Sequence, residues 1–472
     1  MSHPGYRPVA ELHLDSPRAA EIFRRHERLP IIDYHSHLSP RRLAGNEPYR
    51  DLAELWLDGD HYKWRAMRFA GIAERLCSGE GGPRERFDAW AGTLPLAAGS
   101  PLMAWGRLEL WRTFGIEEPL TPDSADRIWQ LTGDRLRQGE LRPRALLEKA
   151  GVELLCTTDD PADDLAAHRS LASDSTFPIS VLPTFRPDAM LALAGSAPFR
   201  SWVERLGAAA GVAPGTLSGF VEALKCRHDA FHEIGCRLSD HGIERCYAAP
   251  CSDAEAARIF GRLMGGAGET AADELERWRS WSLRLVARWD AERRWTMLLH
   301  LGARRDVSSR MHRLIGTDAG CDCIGDFDQG ATLAALLDEL DAAGALPNTV
   351  LFNSNPRDTW VFATIAGSFS GEAGRGRVRH GPPWWFLDQP AGISDYLDAL
   401  FSVASPAAFV GMVSDSRSPL STARHELFRR LVCSRLARDI ERGIAPDDDG
   451  VIDVVCCAMF YHNARSFFGW KT

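Results

Sequence analysis

Two histidines separated by one residue follow a short apolar segment near the start of the chain. The stretch IIDYHSHLSP begins at Ile31 and carries His35 and His37. Alternate residues of a strand point to the same side, so both imidazoles can face one ion. Imidazole and carboxylate groups suit zinc or another divalent metal. Such a pair also occurs on ordinary loops, so a metal site needs further ligands from elsewhere in the chain.

Eight short apolar segments, each followed by a polar cluster, recur along the chain. They are PIIDY, VELLCTT, PISVLPTF, GIERCYAAP, RWTMLL, NTVLFN, RVRHGPP and FVGMVS. Runs of this length suit strands buried on both faces, and helical patterns such as ATLAALLDELDAAG fill most of the gaps. Eight strands alternating with helices predict an α/β fold, a (β/α)8 TIM-like barrel. RVRHGPP is the least strand-like segment because it is polar and ends in prolines.

The gap between the first and second segments is too long for a simple crossover. It is rich in tryptophan and helix formers, and it predicts a helical insertion after strand 1 at about residues 41–145. Tryptophans at helical spacing are interpreted as packing residues. The chain then divides into an N-terminal segment, residues 1–30, and a barrel domain, residues 31–472, which includes the insertion. The glycine-rich stretch GSFSGEAGRGRVRHG is interpreted as a mobile loop.

The polar clusters mark the expected active site, because a barrel of this type carries it at the C-terminal ends of its strands. His300 follows the fifth segment and Asp415 the eighth, where both can complete a metal shell with His35 and His37. A histidine such as His300, taken alone, is more often a hydrogen-bonded core residue, and the alternatives for Asp415 are a helix cap or a partner of Arg417. Their shared position at strand ends favours the metal site.

Composition limits the class of protein. The chain has 472 residues and a net charge of −9 with no run of lysine or arginine, which argues against nucleic-acid binding. Its 11 cysteines lack the CxxC spacing of zinc sites and are expected to be free thiols. No signal peptide or long apolar run occurs, so a cytoplasmic protein that does not enter a membrane is expected. The oligomeric state stays open, a homo-oligomer included.

Nine ordered motifs resemble the uronate isomerase (glucuronate isomerase) family of the amidohydrolase superfamily over essentially the whole chain. They are DYHSHLSP, DHYKWRAMR, FDAWAGTLP, TTDDPADDL, VLPTFRPD, LHLGARR, WWFLDQ, FVGMVSDSRSPLSTARHELFRR and NARSFFG. The resemblance implies an aldose–ketose isomerase of uronate catabolism. Its reactions would interconvert D-glucuronate with D-fructuronate and D-galacturonate with D-tagaturonate.

The resemblance also implies roles for residues of this chain. Asp415 is expected to act as a base on a hydroxyl during ring opening, and Tyr62 to carry the proton near C2. Arg186 and Arg417 suit an enediolate or a carboxylate, because a guanidinium donates two parallel hydrogen bonds. The expected substrate-binding residues are His61, Arg186, Arg417 and Trp384, although packing is an equal alternative for the tryptophan.

The expected cofactor is one divalent metal, with zinc as the first choice, and isomerisation need not depend on it. Two other functions remain open. A metal-dependent hydrolase would use the same ligands to activate water, but the fourth segment, taken to end in YAAPCSD, carries neither lysine nor glutamate for a second metal. A non-catalytic sugar-acid binding protein would need the arginines but neither Tyr62 nor Asp415.

Overall fold

Nine strands build the sheets in the described part of the chain. The computed structural model describes residues 5–192, 196–266, 270–369 and 376–470. Part of the glycine-rich stretch, residues 370–375, lies outside the described residues. The strands are β1 (Ile31–Asp33), β2 (Val152–Cys156), β3 (Ser180–Leu182), β4 (Leu238–Ile243), β5 (Thr296–Leu301), β6 (Ala303–Arg304), β7 (Cys323–Ile324), β8 (Asn348–Asn353) and β9 (Val378–His380).

Helices separate the strands and also precede and follow them. Those before β2 are α1 (Pro17–His26), α2 (Pro40–Gly45), α3 (Leu52–Leu57), α4 (His61–Phe69), α5 (Glu74–Cys77), α6 (Pro83–Leu96), α7 (Pro101–Phe114), α8 (Ala125–Arg137) and α9 (Pro143–Lys149). Those between β2 and β7 are α10 (Ala166–Ser173), α11 (Asp188–Ala192), α12 (Ser196–Ala210), α13 (Leu217–Glu233), α14 (Asp253–Gly265), α15 (Ala272–Arg293) and α16 (Ser309–Ile315). The remainder are α17 (Gly330–Ala342), α18 (Thr359–Ser368), α19 (Pro390–Val403), α20 (Ala423–Glu441), α21 (Asp449–Cys457) and α22 (Asn463–Phe467).

The main strands are parallel, as expected when a helix connects each strand to the next. One sheet has the order β1-β2-β3 and another the order β4-β5-β8-β9, while β6 and β7 form a small antiparallel pair. Single bridges from Phe185 to Asp159 and to Ser239 link the two parallel sheets. Apolar residues of β4, β5 and β8, such as Leu238, Leu298 and Val350, are completely buried in one core that also includes residues of β1 and β2. This arrangement agrees with the predicted TIM-like barrel.

The predicted eighth strand is wrong as a strand, because residues 409–414 carry no strand assignment within the described chain. The segment still closes the barrel against β1. The amide of Asp415 donates to the carbonyl of His35 (3.1 Å), and the amide of His37 donates to the carbonyl of Ser416 (3.0 Å). The amide of Ser414 instead donates to Oδ1 of Asp33 (2.8 Å), so a side chain replaces part of the backbone ladder.

The fourth strand was predicted too late in the sequence. GIERCYAAP begins at residue 242, whereas β4 ends at Ile243. β4 has the sequence LSDHGI, and its polar residues do not form an apolar run. Their burial is tolerated because they have partners: Ser239 donates to Asp290 (2.5 Å), and Asp240 pairs with His300. The argument against a second metal relied on YAAPCSD, which is not the end of β4, so that argument does not apply. The true strand, LSDHGI, also contains neither lysine nor glutamate.

Helices α2 to α9 lie between β1 and β2, in the region where the insertion was predicted. Their apolar faces form a core of their own, in which Trp56, Trp90 and Trp105 are at most 4% exposed. Leu420 and Leu427, from the C-terminal part of the chain, join that core, so the helices pack onto the barrel. The boundaries at residues 1–30, 31–472 and about 41–145 stay a prediction. No described helix is long and apolar enough to cross a membrane.

Candidate active site

A cavity of about 650 Å³ lies at the C-terminal ends of the strands. Most of the predicted site residues line it, although they come from distant parts of the chain. They are His35, His37, His61, Arg186, His300, Trp384, Asp415 and Arg417. Tyr62 is not among the lining residues; its ring stacks on His61 with 5.0 Å between the ring centres.

His35, His37 and Asp415 form one candidate metal-binding group. Nε2 of His35 lies 3.1 Å and Nε2 of His37 lies 3.2 Å from the same oxygen, Oδ1 of Asp415. The chain reaches this geometry through a left-handed backbone conformation at Asp415, whose φ is 44°. Non-glycine residues in that region concentrate at functional sites, because the strain must be offset by the surrounding structure.

His35, Asp240 and His300 form a second group that shares one histidine with the first. Nδ1 of His300 lies 2.6 Å from Oδ1 of Asp240, which is completely buried. Nε2 of His300 and Nδ1 of His35 are buried without a hydrogen-bond partner within the described chain. Buried polar atoms without partners are rare, and free imidazole nitrogens beside carboxylates suit a divalent ion. The residues present therefore fit a metal ion at either group.

The electrostatics of most of the cluster also suit a metal. His35 is the exception, because Asp240 and Asp415 outweigh burial and raise its pKa. Burial alone would raise the pKa of Asp415, but hydrogen bonds from His35 and His37 hold it well below its usual value. Burial lowers the pKa of His37 to about 4 and also lowers the pKa of His300. A neutral imidazole beside an ionised carboxylate is the protonation state that binds a metal.

Asp240 was missed by the sequence analysis, although it lies at the centre of the site. Its Oδ2 accepts a hydrogen bond from Nη1 of Arg186 (2.9 Å) and lies 3.7 Å from Nδ1 of His35. Burial raises the pKa of Asp240, but Arg186, His300 and His35 outweigh burial and hold it well below the usual value. The signal that was available is an aspartate within a buried strand, which requires a charged partner.

The two predicted arginines have different surroundings. Arg186 donates from Nε to Asp188 (2.7 Å) and from Nη1 to Asp240, so two carboxylates hold its guanidinium. Arg417 is more open: its side chain is 34% exposed, and its Nη2 lies 3.3 Å from Asp318. Arg417 is therefore the more accessible of the two for an anion in the cavity.

His61 and Tyr62 occupy the first turn of α4, whose N-cap residue is Asp60. The cap fixes the start of this helix because its carboxylate accepts from the Lys63 amide (3.0 Å). The Tyr62 hydroxyl donates to Oδ2 of Asp388 (3.1 Å). Burial lowers the pKa of His61, which favours a neutral ring beside the cavity.

Trp384 forms part of the cavity wall, with its ring centre 4.8 Å from that of His300. Trp384 is also 4% exposed and belongs to the hydrophobic core beneath the site. The same side chain therefore both packs in the core and forms the cavity wall. Trp385 was missed: it lines the cavity, and the guanidinium of Arg305 lies 4.5 Å from its ring centre. Its backbone φ of 50° marks a sharp turn within WWFLDQ.

Comparison with known proteins gives one consistent answer. The family model described as glucuronate isomerase matches residues 10–468. A uronate isomerase of Solibacter usitatus is 45% identical over 443 residues, which are 94% of this chain and 94% of that protein. One of Cellvibrio japonicus is 39% identical and covers 96% of this chain and 97% of its own length.

Solved structures agree. The crystal structure of a uronate isomerase from Thermotoga maritima has a TM-score of 0.91 at 31% identity, covering 97% of this chain and 99% of its own. That of glucuronate isomerase from Caulobacter crescentus has a TM-score of 0.90 at 25% identity, with coverages of 99% and 98%. These matches confirm the fold class and the enzyme class, an isomerase, predicted from the sequence. The chain belongs to the glucuronate isomerase family.

Proposed function

We propose that this protein interconverts D-glucuronate with D-fructuronate, and D-galacturonate with D-tagaturonate. The observation that carries the proposal is a single cavity lined by Asp415, by Arg417 and by the histidines of the candidate metal-binding groups. The ring of Tyr62 stacks on His61, which also lines this cavity. A sugar acid offers hydroxyls for the first groups and a carboxylate for the arginine. The site thus provides for both ends of one open-chain uronate.

We propose that a divalent ion, with zinc as the first choice, is held by His35, His37 and Asp415, and that His300 is a ligand or a close neighbour. When bound, the ion would orient and polarise oxygen atoms of the sugar. Support comes from donor atoms within 4.8 Å of one another in each of the two groups. Isomerisation consumes no water, so the need for the ion in turnover is a separate question.

The proposed reaction begins with ring opening and continues with a proton transfer. Asp415, an ionised carboxylate, takes the proton of the anomeric hydroxyl at C1 while the bond from C1 to the ring oxygen breaks. Asp415 then returns this proton to the ring oxygen, which becomes a hydroxyl. Tyr62 then moves the C2 proton to C1. Arg417 and Arg186 place positive charge beside the developing enediolate or the substrate carboxylate, and charge that is already in place stabilises a transition state effectively. His61 and Trp384 contribute a hydrogen-bonding ring and a wall.

A direct assay tests the function. Purified protein is incubated with D-glucuronate or with D-galacturonate, and ketose formation is followed by a colour reaction and by NMR. D-Glucose, which matches D-glucuronate from C1 to C5 but carries a CH2OH group in place of the carboxylate, is the control substrate and should not react. Absence of ketose from both uronates, with and without added zinc, would contradict the proposal. The cytoplasmic location and the oligomeric state stay predictions.

A further inference from the structure

We propose that Asp388, held in place by Arg424, positions Tyr62 and receives its phenolic proton while Tyr62 acts on the C2 proton. This inference rests on the proposed function and adds a residue to it. Asp388 is the aspartate of WWFLDQ, and it caps the end of a short 3-10 helix, Trp385–Leu387, just before α19. It does not line the cavity of about 650 Å³, but it lines a neighbouring cavity together with Tyr62.

Three elements of the fold meet at one oxygen atom. Oδ2 of Asp388 accepts from the Tyr62 hydroxyl of α4 at 3.1 Å and from Nη1 of Arg424 of α20 at 2.9 Å. The Arg424 guanidinium also lies 4.8 Å from the centre of the Tyr62 ring. The phenol is therefore fixed at its oxygen by an anion and at its face by a cation. Such a fixed geometry is what proton transfer requires.

The surroundings leave Asp388 few alternative roles. Asp388 is 3% exposed and Arg424 is 4% exposed. The second oxygen, Oδ1 of Asp388, is buried and has no hydrogen-bond partner among the described residues. The same Nη1 of Arg424 donates to the carbonyl of Ser414 (2.8 Å), which ties the pair to the segment that carries Asp415. A carboxylate used only for stability is expected to have both oxygens satisfied.

The pKa values of Asp388 and Tyr62 also support a proton transfer between them. Burial raises the pKa of Asp388 to about 7; the positive charge of Arg424 and the hydrogen bond from Tyr62 oppose this effect, and the negative charge of Asp415 adds to it. Burial, together with Asp388, raises the pKa of Tyr62 well above 10. The proton therefore rests on the phenol, and Asp388 is poised to accept it only when Tyr62 reacts. The neighbouring Arg424 keeps its charge throughout, because Asp388, Tyr62 and Asp60 outweigh burial and raise its pKa.

The proton steps balance without any other reactant. The Tyr62 O–H bond breaks and an Asp388 O–H bond forms, leaving a phenolate beside Arg424. The phenolate takes the C2 proton, and the electron pair of the C–H bond enters the enediolate. Tyr62 then gives this proton to C1, the hydroxyl proton on the C2 oxygen moves to the C1 oxygen, and Asp388 returns its own proton to the phenolate. The net charge of Tyr62, Asp388 and Arg424 is zero before and after the transfer, and it is +1 while the enediolate carries the balancing negative charge.

The competing explanation is that Asp388 only fastens the helical region to the barrel, because it joins α4 to α20. Overall activity cannot separate the two explanations, since loss of fold also lowers activity. Two readouts can. One is the ratio of C2-proton exchange in heavy water to ring opening, measured as anomer interconversion by NMR. The other is the pH profile of turnover below neutrality.

The test compares Asp388→Asn with wild-type protein carrying the same metal. Asparagine keeps the shape and can still accept from Tyr62, but it does not take up a proton under these conditions. We expect C2-proton exchange to fall at least 100-fold, with ring opening within about threefold of wild type. Because an acid must be ionised to accept a proton, wild-type turnover should fall as the pH drops through about 7, and the variant should lose that limb.

Two further variants keep the test decisive. Asp388→Glu retains a carboxylate and should recover part of the exchange together with the limb near neutrality, and it replaces the asparagine variant if that protein does not fold. Asp439→Asn is the matched control: Asp439 is 4% exposed and pairs with Arg435 (2.8 Å) away from the cavity, so its ratio of exchange to ring opening should match wild type.

Each outcome supports or overturns the inference. A wild-type ratio and an unchanged pH profile in Asp388→Asn would overturn it. An equal fall of exchange and ring opening, together with a lower Tm, would assign Asp388 to stability and also overturn it. Failure of the wild-type protein to isomerise any uronate contradicts the proposed function itself, and is told apart because it appears before any variant is made.

Discussion

At the scale of single residues, Arg186 shows how a charge is held beside the reaction. Its Nε and Nη1 each donate to a different carboxylate, Asp188 and Asp240. A lysine at this position keeps the charge but cannot reach both acids from one rigid fork. We expect Arg186→Lys to lower kcat/KM at least tenfold, or about 1.4 kcal/mol of transition-state stabilisation.

The control for that variant is Arg435→Lys. Arg435 also pairs with two carboxylates, Asp398 and Asp439, but lies outside the cavity. Steady-state kinetics of both variants with D-glucuronate measure the difference. Equal kinetics for Arg186→Lys and wild type would show that the pairing at Asp240 is irrelevant to turnover.

Tyr62 gives the second prediction at this scale. Tyr62→Phe keeps the ring between His61 and Trp105 but removes the hydroxyl that donates to Asp388. We expect turnover to fall by roughly 10²–10⁴, the usual effect of losing an acid–base group, while the fold is kept.

Tyr396→Phe is the comparison for Tyr62→Phe. It also loses a buried hydroxyl, which donates to the carbonyl of His380 (2.9 Å), but outside the cavity. Transfer of the C2 proton in heavy water is the measurement. Transfer at the wild-type rate in Tyr62→Phe would place the base elsewhere.

Residue types at strand ends were predictable, whereas their partners were not. His35, His37, His300 and Asp415 were identified because each follows a segment that reads as a strand. Asp388 was not, because its contact with Tyr62 joins positions 326 residues apart and depends on how two helices pack. No local pattern encodes a contact of that kind.

At the scale of elements, the turn between α3 and α4 sets the position of Arg417. Gly59 has φ 75°, and a Cβ there would lie 2.9 Å from Cδ of Arg417. Alanine would therefore be strained in its backbone and would also push the arginine. We expect Gly59→Ala to raise KM for D-glucuronate several-fold, because the displaced guanidinium no longer meets the anion.

Gly71→Ala separates these two effects. Gly71 has φ 79°, close to that of Gly59, but nothing lies within 4 Å of the Cβ position. Both variants should lose about 1 kcal/mol of stability from the left-handed backbone, as measured by urea unfolding. Only Gly59→Ala should change KM. A KM shift of the same size in both would mean that strain, not the contact with Arg417, is responsible.

Elements with clear hydrophobic patterns were predictable, and elements stabilised by tertiary pairs were not. β5 and β8 carry the apolar runs expected of buried strands, and both lie where the sequence predicts them. β4 was misplaced because Asp240 and His241 replace apolar residues. Asp240 is buried beside Arg186 and His300. His241 is buried against Ser239, which donates to Asp290. The misplaced strand is also the one that carries the missed site residue.

At the scale of the whole molecule, the candidate metal site joins the two ends of the barrel. His35 and Asp415 are 380 positions apart, and their side chains are 3.1 Å from each other. The backbone contacts at this seam include the bonds from Asp415 to His35 and from His37 to Ser416. An ion held across the seam would therefore stabilise closure of the whole chain, because it binds the folded arrangement and not the unfolded chain.

The final prediction follows from that seam. Zinc added to metal-free protein should bind near one ion per chain and raise Tm, with about 2.7 kcal/mol gained when free zinc is 100 times its Kd. His37→Asn should lose most of the Tm increase, since His37 faces Asp415 from the same group. His462→Asn, which changes an exposed histidine near the C-terminus, should keep it. Metal analysis and calorimetry give both quantities independently of turnover. Equal Tm increases in the two variants would place any bound zinc outside this site, and an activity that survives chelation would leave the binding prediction intact.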